Sequence, residues 1–253
     1  PLIAIGLIIW RFYLEPKIAM FDDDRRVKNF RSMDQIFPTK IIHCAGQPYI
    51  FQTDLSDLNT SYQFQGETRT MLDFLERTGN TGILILKDDF IIYENYSQGS
   101  TKFDKITSWS VAKSFISALI GIAIDEGYID SIDEHITQYM PELKKSGYNN
   151  VTIKHILQMS SGIKFSEAYE DKNSDISRLL YKLFLYMRPI EKMILNYPSK
   201  FPSGDYFEYV SLNTQILGLL LRRVTGQDMV SYLEKKLWQP MGAESDAYWL
   251  TDN

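Results

Sequence analysis

Residues 106–128 read ITSWSVAKSFISALIGIAIDEGY, and the rest of the chain is organised around them. Between positions 111 and 124 the residues are small or apolar, apart from one lysine and two serines, and Gly127 follows as a stop signal. An apolar run of this length without proline predicts a helix that is buried on nearly all sides. Either Ser108 or Ser110 would lie at the N-terminus of this helix.

Ser110 and Lys113 share one face of the predicted helix, one turn apart. Burial disfavours the charged form of a lysine, and a neutral amine beside a hydroxyl can accept its proton. The helix N-terminus favours the negative charge that results. The spacing therefore indicates a serine nucleophile with a lysine base, although an N-cap serine beside a snorkelling lysine fits it equally.

The same spacing occurs a second time, in Ser161-Gly162-Ile163-Lys164. The glycine directly after this serine favours a helix end, so the serine and the lysine need not share a face. We therefore do not expect this copy to be reactive.

Residues 201–226, FPSGDYFEYVSLNTQILGLLLRRVTG, form the second stretch that carries chemistry. The pattern predicts a helix that begins near Ser211 and ends at Gly226, with Tyr209 in the segment that leads into it. The Tyr209 hydroxyl could relay protons if a neighbouring lysine lowers its pKa. The alternative is an aromatic ring that only packs over the helix start.

Composition limits the classes of function. The chain has 253 residues, of which 44% are hydrophobic and 23% charged, which is ordinary for a globular protein with a core. A formal net charge of -5 argues against a nucleic-acid partner. One cysteine and three scattered histidines give no disulfide and no zinc-ligand spacing, and no phosphate-cradling glycine motif occurs. We therefore predict neither a metal nor an organic cofactor.

The first 14 residues, PLIAIGLIIWRFYL, are apolar up to Arg11, which has aromatic neighbours. This pattern predicts a membrane anchor, with the remnant of a signal peptide and a buried strand as alternatives. An anchor would associate the protein with a membrane and place the globular part outside the cytoplasm, in the periplasm or at the cell surface. We predict an N-terminal extension over residues 15–66 and the main domain over residues 67–253.

Other segments indicate the surrounding elements. GILILKDDFIIYENYS, residues 82–97, predicts an antiparallel hairpin around Lys87-Asp88-Asp89. Helical spacing occurs over residues 67–77 and 151–161, the latter capped by Thr152, and over a last helix from Asp228 to about position 237. Residues 165–186 are acidic and aromatic before they become helical, and such a loop either lines a site or is a solvated connection.

Together these stretches resemble the serine hydrolase family of class C β-lactamases, D-alanyl-D-alanine carboxypeptidases and related esterases. SVAKSFISALIGIAIDEGYID is similar to the first motif of that family, and HILQMSSGI to its usual helix-to-turn phrase. FEYVSLNTQILGLLLRRVTGQDMVSYLEKKLWQPMG is similar to its Tyr-x-Asn region, and the resemblance covers about residues 70–250. The tryptophan before the serine and the Y-x-S-x-N-T pattern look most like 6-aminohexanoate-dimer hydrolases, amidases that also cleave esters.

The resemblance implies an α/β (α+β) fold of the β-lactamase/transpeptidase type, in which an antiparallel sheet is flanked by helices and accompanied by a helical lobe. It also implies a role for each matched residue. Ser110 would be the nucleophile, Lys113 its base partner and Tyr209 the proton relay to the leaving group. Tyr169 matches a tyrosine that contacts substrate. Ser211, the second predicted substrate-binding residue, stands where class C enzymes have an asparagine, which disfavours β-lactam turnover. The third motif of the family, a Lys- or His-containing triplet ending in glycine, does not occur before Asn253. We expect it, with the strand that supplies half of the oxyanion hole, in a missing C-terminal part.

The sequence thus predicts a serine hydrolase that cleaves an amide or ester bond of a small or short peptide-like substrate through an acyl-enzyme on Ser110. A penicillin-binding carboxypeptidase or β-lactamase is the alternative within enzymes. A catalytically silent binding module of the same fold is the alternative outside them.

Overall fold

The computed structural model describes residues 14–58, 60–186 and 188–252. The main part of the predicted membrane anchor, residues 1–13, lies outside these ranges. Within the described ranges, no helix is both long and apolar enough to cross a membrane. The anchor and the extracytoplasmic location therefore stay predictions.

The N-terminal extension begins with short helices that fold on one another. They are α1 (Glu15–Ile18), a 3-10 turn (Ala19–Phe21), α2 (Arg26–Phe30) and α3 (Met33–Ile36). Met20, Met33 and Phe37 are buried in a small core of their own. The Phe37 ring lies 4.6 Å from that of Phe184, measured between centroids, which docks this core onto the main domain.

Strand β1 (Thr39–Ile42) pairs antiparallel with β7 (Ala247–Leu250). Two-residue β2 (Gln52–Thr53) runs parallel to β6 (Phe90–Tyr96), which pairs antiparallel with β5 (Gly82–Lys87). The mixed α/β class is confirmed, but the strands of the described ranges lie in three small sheets and not in a single antiparallel one.

The predicted hairpin at residues 82–97 is confirmed as β5 and β6. Its two-residue turn is Asp88-Asp89, with φ of 51° and 65°, as a type I′ turn requires. A further hairpin joins β3 (Ser61–Phe64) to β4 (Glu67–Thr70), so the helix predicted from Glu67 begins later. It is α4 (Met71–Arg77), and it starts where the Thr70 hydroxyl accepts the N–H of Asp73.

The central stretch forms a 3-10 turn (Trp109–Val111) followed by helix α5 (Ala112–Asp125), and Gly127 ends it with φ of 76°. The prediction that this helix is buried on nearly all sides is wrong. One face is buried, and it consists of Ile116, Leu119, Ile120 and Ala123. The opposite face is exposed, and it consists of Ser114, Ser117, Ala118 and Gly121. These four small residues follow the spacing of one helical stripe. The two faces of the helix therefore differ in side-chain size as much as in polarity.

The buried face of α5 packs against α9 (Ser211–Thr225), which ends at Gly226 in a left-handed conformation, φ 65°. Thr152 caps α7 (Ile153–Leu157) as predicted, but this helix ends earlier than expected because Met159 adopts φ 55°. The remaining helices are α6 (Ile136–Tyr139), α8 (Asp175–Tyr186) and α10 (Met229–Leu233), with 3-10 turns at Pro141–Lys145 and Ile190–Lys192 and a π turn at Glu234–Trp238. One main core unites α5, α7, α9 and α10.

Candidate active site

Ser110 lies in the 3-10 turn that precedes α5, and it is exposed to solvent. The residue before it, Trp109, has φ of 45°. A bulky side chain rarely adopts a positive φ, and such a backbone costs about 1–3 kcal/mol that the surroundings must offset. The nucleophile candidate is therefore presented on a strained turn and not within a regular helix.

Lys113 lies in the first turn of α5 on the same side as Ser110. Its Nζ lies 3.1 Å from the Oγ of Ser110, within hydrogen-bonding distance. The lysine is partly exposed, so the burial expected around its amine is only partial. The physical reason is that the helix start projects from the core, whereas the buried stripe of α5 begins one turn later, at Ile116.

Tyr209 comes from the segment that enters α9, and its ring faces the lysine. The Nζ of Lys113 lies 5.2 Å from the ring centroid. Partial burial by itself raises the pKa of Tyr209. Hydrogen bonding from Lys113 and Ser110, together with the lysine charge, outweighs it, so the pKa is lowered from its ordinary value. The structure thus brings Ser110, Lys113 and Tyr209 together from two stretches about 100 residues apart.

Backbone hydrogen bonds hold the Tyr209 segment in place. The N–H of Glu208 donates to the carbonyl of Met159, and that of Gly204 to the carbonyl of Ser160, each at 2.8 Å. The Nζ of Lys200 lies 2.7 Å from the Glu208 carboxylate. The segment before Tyr209 is therefore tied to the turn that follows α7.

That turn contains Gly162, with φ of 71°. A Cβ at this position would clash with the carbonyl oxygen of Phe201. The close backbone approach lets the neighbouring Ile163 form an isolated antiparallel bridge with Ser199. Glycine is thus required both by its conformation and by the space available.

A buried polar contact fixes the start of α9. Asn213 is fully buried, and its Oδ1 accepts the hydroxyl of buried Tyr148 at 2.9 Å. Its Nδ2 approaches the sulfur of Met159 at 3.6 Å. Because a buried amide without partners is costly, this arrangement specifies where α9 begins and hence where Tyr209 lies.

Tyr169 and Ser211, the two predicted substrate-contacting residues, lie close to Tyr209 and to each other. The pKa of Tyr169 is raised, mainly by partial burial and further by the charges of Glu167 and Tyr209. A hydrogen bond with the Ser211 hydroxyl acts in the opposite direction. Tyr169 is well exposed, whereas Ser211 is buried at the helix start. The structure therefore leaves Tyr169 more accessible to a substrate than Ser211.

Glu167 belongs to this site and was missed by the sequence analysis. One carboxylate oxygen accepts the backbone N–H of Ser211, at the positive end of α9. The other oxygen is buried and has no hydrogen-bond partner among the described residues. Only the acidic composition of residues 165–186 pointed towards it, since its partner lies 44 positions away.

The second serine–lysine copy does not form a comparable pair. Ser161 is buried and Lys164 is exposed, with the left-handed Gly162 between them. This agrees with the expectation from the sequence. Among the described residues, no group of three or more His, Cys, Asp or Glu side chains is arranged to hold a metal ion.

Comparison with known proteins gives the family. The β-lactamase family model matches residues 74–253, which include Ser110, Lys113 and Tyr209. The chain belongs to the β-lactamase family. Its resemblance to the family of class C β-lactamases, carboxypeptidases and related esterases is thereby confirmed.

Two relatives show how far the similarity in sequence extends. The 6-aminohexanoate-dimer hydrolase of Paenarthrobacter ureafaciens is 30% identical over 179 residues, covering 68% of this chain and 45% of that protein. Protein flp of Staphylococcus aureus strain N315 is 26% identical, covering 68% of this chain and 35% of that protein. The chain thus spans less than half the length of these relatives.

A solved structure shows the same fold. It is a Bacillus anthracis protein whose assignment as a 6-aminohexanoate-dimer hydrolase is provisional, and it superposes with a TM-score of 0.81 at 21% identity. The match covers 92% of this chain and 64% of that one. Because the match covers almost the whole chain, the shared fold extends into the N-terminal extension.

Proposed function

We propose that this β-lactamase-family chain is a serine hydrolase that cleaves an amide or ester bond through an acyl-enzyme on Ser110. The observation that carries the proposal is the 3.1 Å separation between Lys113 Nζ and Ser110 Oγ, with the Tyr209 ring against the lysine. Nucleophilic catalysis requires a nucleophile and a base within hydrogen-bonding distance of each other, with a third group beside the base.

In the first step, the Oγ of Ser110 attacks the substrate carbonyl while its proton passes to the Lys113–Tyr209 pair. The lowered pKa of Tyr209 suits this role, because a base works best when its pKa lies near the working pH. The tetrahedral intermediate then collapses, the bond to the amine or alcohol breaks, and Tyr209 returns the proton to that leaving group. In the second step, water attacks the acyl-enzyme and gives a proton to the same pair. The bond from the acyl carbon to Ser110 Oγ then breaks, the pair returns the proton to Oγ, and the acid is released.

The substrate class follows from the site and from one relative. The Paenarthrobacter relative is named for the hydrolysis of a 6-aminohexanoate dimer. We propose the same broad class, a small or short peptide-like amide or ester, with Tyr169 and Ser211 beside the bound substrate. Ser211 in place of the class C asparagine favours this class over β-lactams.

Substitution of the nucleophile tests the proposal. Ser110→Ala should abolish hydrolysis of a nitrophenyl ester and of a short amide, because it removes the hydroxyl that lies within hydrogen-bonding distance of Lys113 and would carry the acyl group. Ser114→Ala is the matched control, since Ser114 is an exposed serine on the same helix, and it should retain activity. Full activity in Ser110→Ala would overturn the proposal.

Reaction with a penicillin distinguishes the proposed amidase or esterase from the alternative enzyme class. A long-lived penicilloyl adduct on Ser110, seen by intact-mass spectrometry, would favour a penicillin-binding carboxypeptidase or β-lactamase. Its absence, in a protein that hydrolyses the ester, supports the amidase or esterase.

We also propose that the apolar segment at residues 1–14 attaches the protein to a membrane, with the catalytic domain outside the cytoplasm. Its support is the apolar run with flanking Arg11 and aromatic residues. Alkaline extraction of membranes should leave the protein in the pellet and release a variant without residues 1–13. Release of both forms would contradict the proposal.

A further inference from the structure

We infer that the N-terminal extension is part of the catalytic machinery: Phe21 and Phe30 clamp Trp109 and thereby hold Ser110 in its attacking position. This inference rests on the proposed function, because it concerns the same nucleophile. Phe21 and Phe30 would be positioning residues, since they act on Ser110 through Trp109.

The first observation is a three-ring cluster next to the nucleophile. The rings of Phe21 and Trp109 are stacked, with centroids 5.5 Å apart and planes 26° apart. Phe30 meets Trp109 edge to face at 5.1 Å, and Phe21 and Phe30 meet edge to face at 5.9 Å. Both geometries are favourable for aromatic rings, so Trp109 is held from two sides.

The second observation is the backbone of Trp109. Its φ of 45° lies in the left-handed region, where a tryptophan is seldom found. A strained conformation persists only if the surrounding structure imposes it. The ring contacts from the extension supply such a restraint on the residue that directly precedes Ser110.

The third observation is a backbone link from the extension to the same segment. The N–H of Thr107 donates to the carbonyl of Phe30 at 2.9 Å. The extension therefore holds the chain both at Thr107 and at Trp109, three residues and one residue before the nucleophile. Two restraints this close together fix the path of the backbone into Ser110.

The extension is itself anchored independently of the Phe21 ring. Met20, Met33 and Phe37 form its small core, and Phe37 packs on Phe184 of α8. The side-chain amide of Asn29 donates to the carbonyls of Ala19 and Met20 at 3.1 and 3.3 Å. Removal of the Phe21 ring should therefore leave the extension folded.

The exposure of the rings argues that they do more than add to the core. Phe21 is 55% exposed and Trp109 is 38% exposed. Rings that serve stability alone are usually buried, because stabilisation scales with the apolar area removed from water. What this partly solvated cluster provides is a defined geometry beside Ser110.

The test is the second-order rate constant for labelling of Ser110 by a fluorophosphonate. It is measured on the full chain from a quenched time course by intact-mass spectrometry. Phe21→Ala should lower this rate by roughly tenfold to a hundredfold, the scale at which misplacement of a reacting group acts. With an ester substrate, kcat should fall while KM changes little. Phe21→Tyr, which keeps the ring, should restore the rate.

Two controls separate positioning from a general structural effect. Phe103→Ala removes a ring that is 80% exposed and stacks on Lys102, and it should leave the labelling rate unchanged. Trp109→Gly removes the ring that Phe21 and Phe30 hold, so it should lower the labelling rate about as much as Phe21→Ala does. Addition of Phe21→Ala to Trp109→Gly should then cause no further loss.

The outcomes distinguish this inference from the proposed function. No labelling of Ser110 in the unsubstituted protein overturns both. Two other outcomes overturn the clamp alone. One is a labelling rate that Phe21→Ala does not change. The other is a rate that Phe21→Ala lowers by the same factor whether position 109 is tryptophan or glycine.

Discussion

At the scale of single residues, the reactivity of Ser110 depends on Lys113 and on the tyrosine beside that lysine. Lys113→Met keeps the length of the side chain and removes its charge and its N–H donors. We expect ester hydrolysis to fall by about 10²–10⁴-fold, the usual contribution of a positioned acid–base group. Lys164→Met is the control, because Lys164 belongs to the second serine–lysine copy and is exposed, and it should retain full activity.

The pH dependence of the same variant tests the role of Tyr209. If the deprotonated phenol is the active form, kcat/KM rises with pH, with a midpoint below the ordinary tyrosine value of about 10. Three interactions lower the pKa of Tyr209: the hydrogen bond from Lys113, the hydrogen bond from Ser110 and the charge of Lys113. In Lys113→Met two of these are lost, so the midpoint of the residual activity should move to higher pH. An unchanged midpoint would mean that Tyr209 does not govern the profile.

Ser110 and Lys113 could be predicted because they lie one helical turn apart in a single stretch. Tyr209 could be predicted from its place before a helix that packs on α5. Glu167 could not, since its contact is a backbone N–H 44 positions away and no local spacing encodes it. The left-handed conformation of Trp109 was equally hidden, because propensity favours a helical conformation there and tertiary contacts override it.

At the scale of elements, the turn after α7 decides where Tyr209 lies. Gly162→Ala would place a Cβ against the Phe201 carbonyl in a residue with φ of 71°. We expect a loss of at least about 1–3 kcal/mol in the free energy of unfolding, measured by urea denaturation, together with reduced activity.

A second glycine provides the matched control. Gly218 lies inside α9, and a Cβ there would meet no atom within 4 Å. Gly218→Ala should therefore raise the free energy of unfolding by up to about 1 kcal/mol, since alanine is the better helix former. Equal effects of the two substitutions would contradict the role assigned to the Gly162 turn.

Elements were predictable where the local signal and the tertiary structure agree. The β5–β6 hairpin, the Thr152 and Asp228 caps and the glycine ends of α5 and α9 all carry local signals. The exposed stripe of α5 was missed because its two serines were treated as interruptions of an apolar run, and because Ala118 and Gly121 count as apolar in such a run. The β3–β4 hairpin was missed because the helical spacing of Met71, Phe74 and Leu75 was extended back to Glu67, across Thr70.

At the scale of the whole molecule, the N-terminal extension and the main domain share structure. Strand β1, at residues 39–42, pairs with β7 near the other end of the described chain, and Ile42 belongs to the main core. The division at residue 66 stays a prediction from the sequence. The strand pairing shows only that the two parts are joined by more than a linker.

This joining predicts one cooperative unfolding transition. Tryptophan fluorescence, which reports on Trp109 in contact with the extension and on Trp238 and Trp249 in the domain, should change at the same urea concentration as far-UV circular dichroism. Two separated transitions would mean that the extension unfolds independently, and the clamp on Trp109 would then lack a stable base.

The most direct test of the account is whether Ser110 is an activated nucleophile. Intact-mass spectrometry after exposure to a fluorophosphonate should show one adduct per chain, formed by a bond from the serine oxygen to phosphorus with loss of fluoride. Peptide mapping should place the adduct on Ser110, and Ser110→Ala should remain unlabelled. An adduct on another residue, or no adduct on the unsubstituted protein, would contradict the serine hydrolase account and favour a binding module of the same fold.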